Sequence, residues 1–237
     1  MTDPCAVIFD LDGVLIDSYH VHLESWQRLA VENGITLTEE QFAPWFGVTG
    51  RDLIRGLLAS EDLSDERVEA LYARKTALYR EGFKAGATIM DGAVELIDAL
   101  RAAGLRLGIA TSGSRESTEL ALRRIARHAC FGAVVTGQDV RRGKPDPEPF
   151  LVAAARLEID TGRCVAIEDA PPGIAAARGA GMATVGLVSE GQTAADLSAA
   201  DRVVRSLREL SPDALVSLLP ARPQPRRAAE RSPSVRG

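Results

Sequence analysis

The chain has 237 residues, of which 46% are hydrophobic and 26% are charged, and its formal net charge is −5. This length allows one hydrophobic core of ordinary size and a smaller second lobe. The segment from Ala221 onward carries five arginines and one glutamate, so removing its +4 leaves a net charge of −9 on the chain before it. An acidic body of this kind argues against nucleic acid as the main partner.

The C-terminal tail, the cysteines and the absence of long apolar runs indicate the order of the tail and the cellular compartment. Residues 220–237 are rich in proline, arginine and serine, which predicts a disordered tail. Cys5, Cys130 and Cys164 lack the spacing of a metal site, and we expect free thiols in a reducing compartment. We find neither a signal-peptide pattern nor an apolar run of membrane-spanning length. We therefore expect a cytoplasmic monomer with no membrane partner.

Short apolar segments predict the strands of a parallel sheet. These segments are residues 6–9, 105–110, 133–136, 164–167, 183–188 and the shorter 202–204. Helical patterns lie between or after them, at residues 92–103, 116–126, 147–157, 172–179 and 207–218. Strands that alternate with helices in this way are typical of βαβ units. The sequence therefore predicts an α/β fold, a Rossmann-like parallel sheet with helices on both faces.

Residues 17–86 interrupt this alternation. Helical patterns cover residues 20–33, 39–46, 51–59 and 65–83, and glycines and prolines separate them. We interpret this segment as a small α-helical cap inserted into a core made of residues 1–16 and 87–219. Ligands of open α/β sheets bind at the carboxyl ends of the strands, so a cap rooted there would cover the site.

Polar side chains follow directly after several of the predicted strands. They are Asp10, Asp12, Thr111, Ser112, Lys144, Glu168 and Asp169. Because parallel strands bring their carboxyl ends to one edge of the sheet, we expect these side chains to converge. Carboxylate oxygens are typical Mg²⁺ ligands, and a lysine and hydroxyls can bind phosphate oxygens. The sequence therefore predicts a Mg²⁺-dependent site for phosphoryl transfer.

The two aspartates of the first motif can take different roles. Asp10 can attack phosphorus and also bind the metal, while Asp12 can protonate the leaving oxygen and later deprotonate the acceptor. Asp12 then has to be protonated when Asp10 attacks, so we expect its neighbours to raise its pKa. The predicted metal ligands are Asp10, Asp12, Glu168 and Asp169, and we favour Asp169 over Glu168 for direct contact with the ion.

Ordinary structural roles are the alternatives for these residues. Asp10 and Asp12 could be a helix-cap or turn pair, and Thr111 could cap the following helix. Lys144 could be a solvated surface lysine, and Glu168 and Asp169 could be solvated acids at a strand end.

Four segments resemble the motifs of the haloacid dehalogenase superfamily of phosphohydrolases, in the right order. They are DLDGVLIDS (10–18), ATSGS (110–114), GKPDPEPF (143–150) and AIEDAPPGI (166–174). The resemblance extends to about Leu219. It implies that Asp10 is the nucleophile and Asp12 the general acid/base. It further implies that Thr111 and Lys144 bind phosphate, and that Glu168 and Asp169 bind the metal.

The cap resembles the subgroup of β-phosphoglucomutase and related sugar-phosphate phosphatases. His22 and Trp26 match a His-x-x-x-Trp pattern, and Lys75 matches a substrate-phosphate lysine. Gly50 takes the position of the mutase's phosphate-binding arginine, and Arg51 follows one residue later. The resemblance implies that His22, Trp26, Arg51 and Lys75 contact the substrate. The alternatives are packing roles for the first two of these and solvated helix positions for the basic pair.

These observations favour a Mg²⁺-dependent phosphatase that acts on a small phosphorylated metabolite, a sugar phosphate, through an aspartyl-phosphate. The close alternative is a β-phosphoglucomutase-type mutase, in which a sugar hydroxyl replaces water as the acceptor. His22, Trp26 and Lys75 favour the mutase, whereas Gly50 favours the phosphatase. A dehalogenase has no use for so many acids, and a non-enzymatic binding module would lack at least one motif residue.

Overall fold

The protein, a computed structural model, is described over residues 5–58 and 63–220. Within these ranges the strands are β1 (Ala6–Phe9), β2 (Ile16–Asp17), β3 (Thr88–Ile89), β4 (Arg106–Ala110), β5 (Phe131–Val135), β6 (Cys164–Glu168), β7 (Ala183–Leu187) and β8 (Arg202–Val204). The α-helices are α1 (Tyr19–Glu32), α2 (Glu39–Phe42), α3 (Gly50–Leu58), α4 (Asp65–Gly86), α5 (Ala93–Ala102), α6 (Arg115–Ile125), α7 (Glu148–Leu157), α8 (Pro171–Gly179) and α9 (Pro212–Val216).

The larger sheet has the strand order β5-β4-β1-β6-β7-β8, and every pair in it is parallel. Side chains of β1 alternate between two apolar clusters, with Val7 and Phe9 in one and Ala6 and Ile8 in the other. Helices therefore cover both faces, and the predicted α/β fold is confirmed. The chain leaves β1 toward β4 on one side and reaches β6 on the other, so the end of β1 lies at a topological switch point.

The segment between β2 and β3 is helical and has its own apolar cluster. α1 to α4 pack around buried side chains that include Trp26, Phe42, Phe46 and Leu71. At its base, β2 and β3 form a two-residue antiparallel ladder in which Ile16 pairs with Ile89. Two-residue strands are too short to show an alternating pattern, so sequence analysis did not predict this ladder.

Two predicted helices are each divided into shorter elements. The pattern at residues 39–46 forms α2 and then a 3₁₀ turn, Ala43–Trp45, because Pro44 lacks the N–H that an α-helix needs. The pattern at 207–218 forms a 3₁₀ turn, Leu207–Glu209, followed by α9. Ser211 caps α9 by accepting a hydrogen bond from the Ala214 N–H.

Other sequence-based expectations concern the cysteines, the tail and the membrane. All three cysteines are free thiols, as predicted. Apart from Pro220, the predicted disordered tail lies outside the described residues. Among the described helices, none combines the length and the apolar character that a bilayer crossing requires.

Candidate active site

Three carboxylates meet where β1 and β6 end. Asp10 follows β1, Glu168 ends β6 and Asp169 comes next, and each has an oxygen within 4.8 Å of an oxygen of the other two. The parallel pairing of β1 and β6 continues to the Asp10 N–H, which donates to the Ile167 carbonyl at 2.9 Å. The register of the two central strands therefore holds the group together, and all three side chains are buried.

Lys144 lies between two of these carboxylates. Its Nζ is 2.5 Å from Asp10 Oδ1 and 2.6 Å from Glu168 Oε1. The lysine is 2% exposed, so the alternative of a solvated surface lysine is wrong. The two carboxylates outweigh the effect of burial and raise the pKa of Lys144, which stays charged.

Burial raises the pKa of each of the three carboxyl groups. It raises the pKa of Glu168 to about 7, although the charge of Lys144 lowers it. The pKa values of Asp10 and Asp169 are also raised, because burial outweighs the favourable charge of Lys144. One ammonium cannot balance three ionised carboxylates, so the group favours an added cation or retained protons. The buried oxygen donors fit the preferences of a hard divalent cation such as Mg²⁺.

Two glycines make room for this group. A Cβ at Gly13, which has φ +78°, would lie 1.8 Å from Asp169 Oδ2, and a Cβ at Gly173 would lie 2.0 Å from Glu168 Cδ. A side chain at either position would therefore displace a carboxylate. Asp169 is also oriented by Ser189, whose Oγ donates to Oδ2 at 2.7 Å.

The Asp12 carboxylate is directed away from that group and toward the cap. Its Oδ1 accepts hydrogen bonds from Ser18 Oγ at 2.6 Å and Tyr79 OH at 2.9 Å. His22 Nε2 lies 3.1 Å from the same oxygen, off the line of a straight hydrogen bond. The structure thus places the other three predicted metal ligands together and leaves the Asp12 carboxylate out of the group.

The expectation that neighbours raise the pKa of Asp12 is wrong. Burial favours the neutral acid, but the nearby His22 and the hydrogen bonds from Ser18 and Tyr79 outweigh burial and hold the pKa of Asp12 well below its ordinary range. In this arrangement Asp12 is ionised. The sequence-based argument considered the nearby acids and overlooked donors that the cap supplies.

A buried pair in the cap connects to Asp12. Lys75 Nζ lies 2.8 Å from His22 Nδ1, so we assign Nδ1 as the acceptor and the imidazole proton to Nε2, which faces Asp12. Burial lowers the pKa of Lys75 to about 7. Burial and the charge of Lys75 lower the pKa of His22. Lys75 is therefore buried and is not a solvated helix position, whereas the His22 side chain is 16% exposed.

The loop after β4 places the two predicted hydroxyl residues. The Thr111 N–H continues the ladder by donating to the Val135 carbonyl at 2.9 Å, and its Oγ1 accepts from the Gly113 N–H at 3.0 Å. Ser114, not Thr111, caps α6. Ser112 Oγ donates to the Gly47 carbonyl of the cap at 3.0 Å, so this hydroxyl joins the two lobes.

A space of about 70 Å³ separates the core from the cap at this point. The predicted site residues that line it are Asp10, Asp12, Thr111, Ser112, His22, Trp26 and Lys75. The cap therefore lies over Asp10. Among the described residues, Lys144, Glu168 and Asp169 contact or adjoin Asp10 but do not line this space.

Arg51 is the predicted substrate residue that the structure does not bring to this space. Its Nε and Nη2 donate to Glu69 at 2.5 and 2.9 Å, and its guanidinium lies 4.5 Å from the centre of the Tyr72 ring. Its neighbour Gly50 does line the space.

Sequence analysis missed residues that hold the site together. Tyr79 lies one helical turn after Lys75, so the i, i+4 rule would have placed it on the same face of α4. Ser189 follows β7 closely, and the strand-end rule that found Asp10 and Glu168 would have found it too. Tyr72 lies three residues before Lys75, so the same rule would have placed it on that face, whereas its contact with Gly50 depends on the packing of α4 against α3.

A parallel α/β core, a carboxylate group at the ends of its central strands and a helical cap over them define a class of phosphoryl-transfer enzymes. Residues 6–181 match the family model of the haloacid dehalogenase-like hydrolases. The chain belongs to this family, and it is an enzyme.

Individual relatives carry two kinds of name. The chain is 34% identical to validoxylamine A 7'-phosphate phosphatase of Streptomyces hygroscopicus subsp. limoneus, over 86% of this chain and 94% of that one. It is 33% identical to β-phosphoglucomutase of Bacillus subtilis, over 87% of this chain and 91% of that one. A crystal structure of β-phosphoglucomutase from Clostridium difficile superposes with a TM-score of 0.82 at 25% identity, covering 91% of this chain and 96% of the other.

Proposed function

We propose that this protein is a Mg²⁺-dependent phosphatase that removes phosphate from a small phosphorylated carbohydrate through a phosphoaspartate at Asp10. The single observation that carries the proposal is the position of Asp10. One side of Asp10 faces the space under the cap, and the other side contacts Lys144 near Glu168 and Asp169. A nucleophile that lines the space under the cap, with a positive charge on its other side, fits in-line attack on phosphorus.

In the first step an Asp10 oxygen attacks phosphorus and the bond from phosphorus to the ester oxygen breaks. The departing alkoxide takes a proton from Asp12. Mg²⁺ held by Asp10, Glu168 and Asp169 supplies neutralisation of phosphate charge. Thr111 and Lys144 hold phosphoryl oxygens through their hydroxyl and ammonium groups.

In the second step water attacks phosphorus, Asp12 accepts the proton of that water, and the bond between phosphorus and Asp10 breaks. The products are inorganic phosphate and the restored Asp10 carboxylate. The ionised state of Asp12 suits this step, because only the carboxylate form can accept the proton of the attacking water.

The first step needs Asp12 in its protonated form. A sugar phosphate has to enter between the cap and the core, and we infer that the cap separates from the core to admit it. Separation breaks the contacts of Asp12 with Tyr79 and His22, which are among the causes of its lowered pKa. We infer that Asp12 gains its proton while the cap is open, gives it to the leaving oxygen in the first step, and is then the carboxylate that accepts a proton in the second step.

A phosphosugar mutase is the second candidate function. The similarity to β-phosphoglucomutase and the presence of His22, Trp26 and Lys75 around the space favour it. A mutase uses the same phosphoaspartate but transfers the phosphoryl group to a sugar hydroxyl.

The test uses purified protein, Mg²⁺ and a panel of sugar phosphates that includes β-glucose 1-phosphate. Inorganic phosphate and isomeric sugar phosphates are measured together. We expect free phosphate as the product, its loss on chelation of Mg²⁺, and a decrease of about 10⁴-fold or more in Asp10→Asn. Asp98→Asn, an acid on the surface of α5 bound to Arg127, is the matched control and keeps full activity. Isomerisation without free phosphate would establish the mutase instead.

A further inference from the structure

The cap side of the space above Asp10 is aromatic. The rings that line it belong to Trp26, Phe42, Trp45, Phe46 and Tyr72. Aromatic faces pack well against the C–H faces of carbohydrate rings and offer nothing to a phosphate dianion. The half of the substrate that faces the cap therefore meets an apolar wall.

Few basic groups are available on this wall. Across residues 5–58 and 63–220, the only basic side chains lining the space are His22 and Lys75. Lys75 is engaged with His22 Nδ1 at 2.8 Å, and its ammonium lies over the rings of Trp26 and Tyr79 at 5.1 and 4.8 Å. Lys75 is 6% exposed. Because this one buried lysine is already hydrogen-bonded to His22, it offers little positive charge for a second phosphate.

The arginines of α3 are committed elsewhere. Arg51 makes two hydrogen bonds to Glu69, and its guanidinium lies 4.5 Å from the centre of the Tyr72 ring. Arg55 Nη2 donates to Asp65 Oδ1 at 2.6 Å. Both guanidinium groups are thus held by carboxylates of the cap, and neither lines the space above Asp10.

Two glycines of α3 build the wall. A Cβ at Gly50 would lie 2.5 Å from Tyr72 Cε2, and a Cβ at Gly56 would lie 2.2 Å from Trp45 Cη2. Each ring thus packs directly on the helix backbone, and a side chain at position 50 can enter only by displacing Tyr72. Because α3 and α4 both belong to the cap, this arrangement persists when the cap separates from the core.

We propose that Gly50 and Tyr72 make the enzyme selective for phosphomonoesters whose other half is a neutral carbohydrate or cyclitol, and make it reject a second phosphate. This inference rests on the proposed phosphatase function. Burying a phosphate dianion against aromatic rings without a counter-charge costs far more than burying a hydroxylated ring, and the difference is the selectivity.

The same geometry opposes a mutase cycle. A phosphoaspartate that donates its phosphoryl group to a sugar monophosphate generates a sugar bisphosphate, whose second phosphate would have to occupy the aromatic wall. Water needs no binding site for a second phosphate, so we expect water to accept the phosphoryl group from Asp10.

The experiment compares release of phosphate from glucose 1-phosphate and glucose 6-phosphate with release from glucose 1,6-bisphosphate. We expect kcat/KM for the better monophosphate to exceed that for the bisphosphate by about 100-fold. The double variant Gly50→Arg/Tyr72→Ala supplies both a guanidinium and the room for it, and should narrow this ratio at least about tenfold. Arg55→Met, which removes a surface arginine of the same helix, should leave the ratio unchanged.

A second measurement needs no cap variant and so guards against misfolding of the double variant. The inhibition constants of the two compound types are determined on the wild-type enzyme with p-nitrophenyl phosphate as substrate. The inference predicts weaker inhibition by glucose 1,6-bisphosphate than by the better monophosphate. Equal or preferred use of the bisphosphate overturns the inference and leaves the phosphatase function standing. Absence of phosphate release from every compound, p-nitrophenyl phosphate included, overturns the proposed function and the inference together.

Discussion

The carboxylate group at the sheet edge and the aromatic wall of the cap are built by different physical rules. Asp10, Glu168 and Asp169 are positioned by the register of two paired strands, and their oxygens must come close despite like charge. The rings of Trp45 and Tyr72 are positioned by helix packing, and glycines admit them. The first region brings together like charges whose repulsion a bound cation would relieve, whereas the second is neutral and well packed. Substitutions in the carboxylate group should therefore change the rate of phosphoryl transfer, whereas substitutions in the aromatic wall should change which substrates are accepted.

The largest effect should follow from Lys144→Met, which removes the counter-charge of the core. We expect phosphatase activity to fall by about 10³-fold or more, and the free energy of unfolding without Mg²⁺ to fall by about 3–5 kcal/mol, since buried carboxylates lose their partner. Phosphate release and denaturant titration measure the two quantities. Arg142→Met, which removes an exposed arginine of the same loop, is the control. Full activity in Lys144→Met would contradict the role assigned to this lysine.

Mg²⁺ should stabilise the core region. At a concentration about 100 times its Kd, a single bound ion raises the free energy of unfolding by about 2.7 kcal/mol. We expect thermal unfolding of the wild-type protein to show this gain in stability on addition of Mg²⁺. The variant Asp169→Asn should show little of the gain. The surface variant Asp98→Asn should respond to Mg²⁺ like the wild type. An equal response in Asp169→Asn would remove this carboxylate from the metal site.

The pH dependence of the free energy of unfolding should reveal the contribution of the buried lysine of the cap. Because the folded pKa of Lys75 is about 7 and lies below its ordinary value of 10.5, the unfolded chain binds more protons between these two pH values. Stability contributed by this group therefore rises with pH above about 7, by up to about 1.4 kcal/mol per pH unit, and is lost on acidification. Lys75→Met should remove this slope between pH 7 and 9 in denaturant titrations. Lys84→Met, an exposed lysine on the same helix, should keep it.

The smallest effect should follow from Arg51→Met. This arginine pairs with Glu69 outside the space above Asp10, so kcat/KM should change by less than about threefold. Steady-state kinetics with the best monophosphate of the panel measure it. A decrease of 100-fold would show that Arg51 leaves Glu69 and contacts the substrate, as the resemblance to the mutase implies.

The difference between the two regions also explains what sequence analysis could predict. The residue that follows a parallel strand lies at a known edge of the sheet, so Asp10, Thr111 and Glu168 could be placed together without a structure. The pKa of Asp12 could not be predicted from the sequence, because it depends on contacts with Tyr79 and His22, which belong to the cap. The Arg51–Glu69 pair and the ring of Tyr72 on Gly50 likewise depend on how α3 packs against α4, and that packing has no signature at fixed spacing.

The central claim is that Asp10 becomes phosphorylated and that Asp12 activates the water that releases the phosphate. The most direct test is the variant Asp12→Asn with p-nitrophenyl phosphate, whose leaving group departs without a general acid. With Mg²⁺, we expect a burst of about one p-nitrophenolate per active site, then slow turnover, and a peptide containing Asp10 that has gained the mass of one phosphoryl group. Fast turnover without a burst, or a phosphoryl group on any other residue, would contradict the account.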